Sequence, residues 1–168
     1  MKKWQDIDGW LEPDVGEKLQ ELVFLKSVLE IGCYKGKSTI CMALKAHSVL
    51  SIDTFCADNS GQTQQSFLTT LEEFKKNISG FGNVSYIIGE SPKDIPIDRT
   101  YDFIFVDGFH EGSHVKKEIE VLKDFLRVDG IIAFHDYAPA CGVYNAVNES
   151  NDLIILGQVD SLVWCEYA

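Results

Sequence analysis

Residues 28–39 read VLEIGCYKGKST, and this stretch decides the fold. Val28 to Ile31 is a short apolar run of the kind that forms a buried parallel strand. It breaks into a glycine-containing turn from Gly32 to Gly36, and Ser38 and Thr39 then open a segment with helical apolar spacing. A strand, a glycine turn and a helix N-terminus form a corner suited to a nucleotide. The glycine spacing discriminates further. A dinucleotide fingerprint asks for G-x-G-x-x-G, whereas Tyr34 and Lys37 fill the second and third slots here. What stands instead is an acidic residue, Glu30, followed by Gly32 and Gly36.

Outward from this corner, Pro13-Asp14 leads into a helix with Leu19, Leu22 and Val23 on one face. The helix from Ser38 to about His47 is expected to turn Ile40, Ala43 and Leu44 inward. A strand follows over Val49–Ile52 and ends at Asp53. After a polar stretch from Ala57 to Gln65 comes a helix carrying Phe67, Leu71, Phe74 and Ile78. The turn cluster Gly80 to Asn83 precedes a strand over Val84–Ile88, closed by Gly89-Glu90-Ser91. Another strand, Phe103–Val106, stops at Asp107. A helix with Val115, Ile119, Leu122 and Phe125 is expected to end at Asp129-Gly130. The strand Ile131–Phe134 stops at His135-Asp136. A short helix over Val143–Glu149 and two strands, Leu153–Leu156 and Leu162–Glu166 around a turn at Gly157–Ser161, complete the chain.

Five βα units followed by a hairpin predict an α/β fold. It is a Rossmann-like, doubly wound, mostly parallel seven-stranded sheet with a C-terminal antiparallel hairpin, in a single domain over residues 1–168. Ligands of such sheets bind at the carboxyl ends of the strands. Asp53, Ser91, Asp107, His135 and Asp136 therefore belong to one rim.

Composition narrows the partners. The chain has 168 residues, 45% hydrophobic and 24% charged, with a formal net charge of −11. Such acidity disfavours nucleic acid and anionic membranes and points to a small or neutral substrate. No apolar run is long enough to span a bilayer. MKKWQDIDGW lacks the apolar stretch of a secretory signal, and Cys33, Cys41, Cys56, Cys141 and Cys165 are odd in number with no C-x-x-C pair. Reduced thiols in a cytoplasmic protein are the expectation.

The Glu30, Gly32, Gly36 pattern resembles motif I of the class I S-adenosylmethionine-dependent methyltransferases. Tyr34 followed by Gly36 and Ser38 resembles their catechol O-methyltransferase-like branch. The longest match is YDFIFVDGFHEGSHVKKEIEVLKDFLRVDGIIAFHDY, Tyr101 to Tyr137. It is similar to small class I methyltransferases akin to metal-assisted O-methyltransferases and to sugar O-methyltransferases, and loosely to cephalosporin-hydroxylase-like proteins. The resemblance extends from about Gly9 to the C-terminus. It implies methyl transfer from S-adenosylmethionine to a hydroxyl of a small molecule or sugar. It assigns Glu30 to the methionine amino end of the cofactor and Ser38 to its carboxylate. Gly32, Tyr34 and Gly36 fall in the cofactor turn, Ser91 beside the adenine, and Asp107 at the cofactor's edge. Asp53, at the end of its strand, can accept both ribose hydroxyls.

The same resemblance matches Asp107, His135 and Asp136 to the ligands of a divalent metal, Mg or Mn. Here the chain departs from the pattern, because the catechol-type pair is Asp-Asn and this pair is His-Asp. An imidazole leans away from Mg²⁺ toward Mn, Fe, Co or Zn, or makes His135 an acid–base group with no metal. His110 occupies the position of the catechol enzymes' catalytic Lys, and an imidazole there can act as general base. Trp4, Trp10, the loop Thr54 to Gln65 and the segment Tyr137 to Tyr144 are the expected acceptor walls.

Plainer readings stand beside these. Ser38 suits a helix N-cap, Asp53 a cap or solvated turn, Ser91 a turn start. Asp107 and His110 suit caps of the following helix, and His135-Asp136 an ion pair. The rival functions are a cofactor-binding protein without catalysis, an NAD-dependent oxidoreductase, and a metal-dependent hydroxylase or hydrolase.

Overall fold

The computed structural model describes residues 3–56 and 64–168, with the backbone alone at 64–67. The expected loop residues 57–63 and the Phe67 side chain lie outside the described set. Seven strands form one sheet: β1 (Ser27–Ile31), β2 (Ser48–Asp53), β3 (Val84–Ile88), β4 (Tyr101–Val106), β5 (Leu126–Phe134), β6 (Leu153–Val159) and β7 (Leu162–Tyr167). Their order is β3-β2-β1-β4-β5-β7-β6. The first five are parallel, and β7 runs antiparallel between β5 and β6. The doubly wound sheet with its C-terminal hairpin is the architecture expected from the strand and helix pattern.

Strand alternation explains the layers. In β1, Val28 joins one core cluster and Leu29 the other. The first cluster sets Val28, Val49, Phe103 and Phe105 against helices α1 (Pro13–Leu22), α2 (Lys37–Ala43) and α3 (Gln64–Ile78). The second sets Leu29, Ile52, Ile104 and Phe134 against α4 (Gly112–Leu122) and α5 (Gly142–Glu149). A strand covered on both faces needs apolar side chains at consecutive positions, which is why FIFV reads as an unbroken run and Glu30 alone interrupts VLEI. Each fully buried Leu, Ile or Phe contributes about 1.5–3 kcal/mol. No helix among the described residues is long and apolar enough to cross a membrane.

Four local expectations need correction. Helices follow β1, β2, β4 and β5, but residues 89–100 join β3 to β4 through turns, so the third of the five expected βα units has no helix. Helix α2 ends at Ala43, which leaves Leu44 48% exposed rather than inward. Asp129-Gly130 does not end the fourth helix. That helix stops at Leu122, a 3-10 turn covers Lys123–Phe125, and β5 begins at Leu126. Asp129 sits in β5 at φ +61°, where the pairing jumps from Tyr101↔Leu126 to Phe103↔Ile131. An Asp-Gly pair serves a strand irregularity as readily as a helix stop. Gly157 lies inside β6, paired with Trp164, rather than in the hairpin turn, and a Cβ there would strike the Trp164 ring.

Candidate active site

The carboxyl ends of β1, β2, β4 and β5 meet at one rim, as the topology requires. Gly32, just past β1, has φ +82°, and a Cβ there would collide with the Asp107 carbonyl. Only glycine lets the turn after β1 lie this close to the end of β4. Gly36, at φ +86°, is the N-cap of α2. The cap role considered for Ser38 is therefore taken by Gly36.

Glu30 is fully buried. Ser38 Oγ, Thr39 Oγ1 and Ser51 Oγ each donate to its carboxylate at 2.5 Å. Burial nevertheless outweighs these bonds and pushes its pKa up to about 7. Glu30 thus ties β1, β2 and the start of α2 together beneath the turn. Asp53 is neither a helix cap nor a solvated turn residue. Its Oδ2 accepts the amides of Cys33 (2.7 Å) and Tyr34 (2.8 Å), and its Oδ1 accepts that of Phe55 (2.6 Å). A carboxylate has about four lone-pair sites, and three here hold backbone.

Across the rim, two imidazoles and two carboxylates alternate. His110 Nε2 lies 3.0 Å from Asp136 Oδ2. His135 Nδ1 lies 3.5 Å from Asp136 Oδ1 and 3.1 Å from Asp107 Oδ1. The other nitrogen of His135, Nε2, faces Ser161 Oγ at 3.1 Å and Glu12 Oε2 at 3.8 Å. Burial acts to lower the His135 pKa, but its bonds to Asp107 and Asp136 and their charges prevail and raise it to about 10. Asp136, bonded by both imidazoles, is held well below the usual carboxylate range. Burial raises Asp107 despite its His135 partner. His110 is raised chiefly by its hydrogen bond to Asp136.

This geometry revises the metal set. Among the described residues, Asp107, His110 and Asp136 bring one ligand atom each within 4.8 Å of one another. His135, expected as a ligand or base, lies outside that set: its Nδ1 faces Asp107 and Asp136, its Nε2 faces Ser161, and the two carboxylates favour its charged form. His110 does not cap α4, because Glu111 accepts from Ser113 N in that role. Ser91 is buried in the turn after β3, with no hydrogen-bond partner for its hydroxyl.

Sequence reasoning missed Glu12 and Ser161. Glu12 reaches the rim through an N-terminal strap. Lys37 Nζ donates to Gly9 O at 2.8 Å, Lys35 pairs with Asp8 (2.7 Å) and Glu73 (2.9 Å), and the Trp10 ring lies 5.8 Å from that of Tyr34. Glu12 stands directly before Pro13, the first residue of α1, and that helix-start signal is the only local sign of it. Trp10 is 78% exposed at the rim, whereas Trp4, expected as a second wall, is buried against Gly16. Tyr137 is buried, its ring beside Tyr144 and its hydroxyl bonded by Asn148.

Comparison with known proteins sets this rim in context. The family described as Methyltransferase domain matches residues 29–137. None of the curated proteins matches this chain. Among solved structures, the O-methyltransferase TomG of tomaymycin synthesis from Streptomyces achromogenes, in complex with SAM, is 14% identical. The alignment covers 94% of this chain and 81% of that one, at TM-score 0.66. The N-methyltransferase NodS from Bradyrhizobium japonicum WM9, in complex with S-adenosyl-L-homocysteine, is 16% identical over 98% of this chain and 94% of its own, at TM-score 0.65. An rRNA methylase from Streptococcus thermophilus is 18% identical over 95% and 99%, at TM-score 0.62. At these identities the likeness is one of fold.

Proposed function

The chain belongs to the Methyltransferase domain family, and we propose that it transfers the methyl group of S-adenosylmethionine to a hydroxyl of a small molecule or sugar. One observation carries the reading. A glycine corner suited to the cofactor, built on Glu30, Gly32, Gly36 and Asp53, shares its rim with the His110–Asp136 pair. The similar structures serve hydroxyl, amine and rRNA acceptors, so the choice of a hydroxyl rests on that pair. A hydroxyl needs a base to become a good nucleophile near neutral pH, and an imidazole is the side chain suited to it. The net charge of −11 also disfavours a polyanionic acceptor.

The reaction is an in-line attack of the acceptor oxygen on the sulfonium methyl. Holding the two in line contributes about 7–11 kcal/mol of barrier reduction. Asp136 holds the His110 ring through Nε2, which leaves Nδ1 to take the acceptor proton. The neighbouring His135 imidazolium offsets the negative charge of Asp107 and Asp136. The donor set also fits a divalent ion, with two carboxylates and an imidazole suiting Mn²⁺ better than Mg²⁺. Asp107, His110 and Asp136 would hold it, and its chemistry would be to lower the pKa of the acceptor hydroxyl.

Calorimetry and thermal unfolding with S-adenosylhomocysteine test the donor side. Binding should raise the melting temperature, since the ligand engages the folded state. No stabilisation at saturating ligand would remove the donor reading. Methyl transfer is then measured in excess chelator. Full activity there assigns the proton to His110 alone, and lost activity restored best by Mn²⁺ assigns the cluster to a metal.

A further inference from the structure

β6 is the outer strand at the hairpin end of the sheet, and among the described residues β7 alone pairs with it. It carries Ile154, Ile155 and Leu156, which are 47%, 43% and 45% exposed. Among the described residues no other three consecutive large hydrophobics are exposed. Ile155 pairs with Cys165, which belongs to the core cluster under α4 and α5. Ile154, one residue earlier, turns to the opposite face, so the exposed run reaches both sides of the sheet edge. Edge strands of soluble proteins are normally blunted by charge, proline, a bulge or a covering element. Residues 153–159 read LIILGQV, without charge or proline, and the nearest charges are Asp152 and Asp160 just beyond the ends. The one such device present is the register shift between Ile155 and Gly157, which interrupts a regular ladder but leaves the apolar side chains uncovered. The opposite edge, β3, is five residues long and exposes one large hydrophobic, Ile88.

We infer that β6 is the seam of a homodimer, in which two copies meet edge to edge about a two-fold axis at Ile155 and bury the Ile154–Leu156 run against itself. The inference goes beyond the methyl-transfer reading and does not rest on it. Charge selects the occupant. Each copy has a net charge of −11, so two copies repel over most of their surface and approach at least cost along an uncharged stretch. A strongly charged partner would gain nothing from a strand that offers it no charge. The two-fold makes the patch complementary to itself and keeps the flanking acids apart. Counted position for position about Ile155, Asp152 falls opposite Gln158 of the partner subunit, and Asp160 opposite Ser150 of the partner subunit. The seam lies two strands beyond β5, so the rim at β1, β2, β4 and β5 stays open in each copy.

Sedimentation equilibrium at micromolar protein tests this on the wild type, Ile155→Lys and Leu156→Lys, with thermal unfolding to confirm that each is folded. Val128→Lys is the control, replacing a 92% exposed hydrophobic at the start of β5. The wild type should dimerise, and more tightly as salt rises, because screening relieves the repulsion between two acidic copies. Each β6 lysine should weaken the dimer by about a hundredfold or more, since it brings like charges together in a desolvated seam, whereas Val128→Lys should not. A wild type that stays monomeric overturns the inference. A dimer that tolerates both β6 lysines, or that loosens as salt rises, overturns it as well, because the contact then lies elsewhere or is ionic. Should the lysine variants fail to fold, cross-linking decides, in a Cys56→Ser background because Cys56 is exposed. Ile155→Cys lies beside its own copy on the axis and should form an intersubunit disulfide under mild oxidation, and Val128→Cys should not. Equal behaviour of those two variants overturns the inference.

Discussion

In the proposed reaction, His110 and Asp136 carry the acceptor chemistry through a single 3.0 Å contact. The hydrogen bond raises the His110 pKa, so the free base is the minor form until the pH passes that raised value. kcat/KM should accordingly climb with pH along a limb displaced upward from an ordinary imidazole near ~6.5. His110→Ala should lower turnover by roughly 10²–10⁴ with donor affinity nearly unchanged. Normal turnover with the same limb in His110→Ala would move the proton elsewhere. Asp53 makes a different case, because its carboxylate already holds the Cys33 and Tyr34 amides of the glycine turn and the Phe55 amide after β2. Asp53→Ala should therefore both lower the melting temperature and weaken S-adenosylhomocysteine at least about tenfold, since hydrogen bonds to a charged acceptor contribute ~1.5–3 kcal/mol each. A folded variant of unchanged affinity would leave Asp53 as a clamp only.

Elements meet at the site through close backbone approaches, and Gly142 at the start of α5 is the sharpest. A Cβ there would collide with the His110 carbonyl and lie 2.6 Å from Gly112 N, both backbone atoms that cannot swing aside. Gly142→Ala should push the His110 loop, cost about 1–3 kcal/mol of stability and lower kcat, with little change in donor affinity. Gly82→Ala is the control, because open space surrounds that position. Equal behaviour of the two variants would dismiss the contact. The same contrast shows what a sequence reveals. β3 is legible at both ends, because Val84–Ile88 is a β-rich run between turn clusters. VLEIG is legible because strand burial and a tight turn leave local signatures. β5 is misread because Asp129-Gly130 has the same local chemistry in a bulge as after a helix. Glu12 against His135 and Gly142 against His110 are contacts between segments distant in sequence, and no spacing rule announces them. The rim positions of Asp107, His110 and Asp136 are legible because each sits just past a recognisable strand, but their grouping is not, since the expected set holds His135 in place of His110. Which imidazole is free was not, since that depends on Ser161 and Glu12 closing around His135.

Across the whole molecule, the buried titratable groups make stability depend on pH in one direction over most of the range. Glu30 has a pKa of about 7 in the folded protein against an ordinary 4.5. Between those values the folded state binds more protons than the unfolded chain, so stability falls as the pH rises. His135 stands at about 10 against an ordinary 6.5, and His110 is raised as well. Their contribution is fully present below the unfolded value and is lost as the pH climbs, for His135 through about 10. Asp136 works oppositely: lowered from an ordinary 3.8, it contributes above that value and is lost on stronger acidification. Together these place maximal stability in a mildly acidic window, roughly pH 4.5–6, with a decline toward alkaline pH. Urea midpoints at about pH 5, 7 and 9 read this out. Glu30→Gln cannot titrate, so it should flatten the fall between about pH 5 and 7 and leave the later loss, which belongs to the imidazoles. A wild-type midpoint that rises from about pH 5 to 9 would mean that the folded protein does not hold Glu30 protonated or His135 charged. The alternating cluster at the rim would then have to balance its charge by another route.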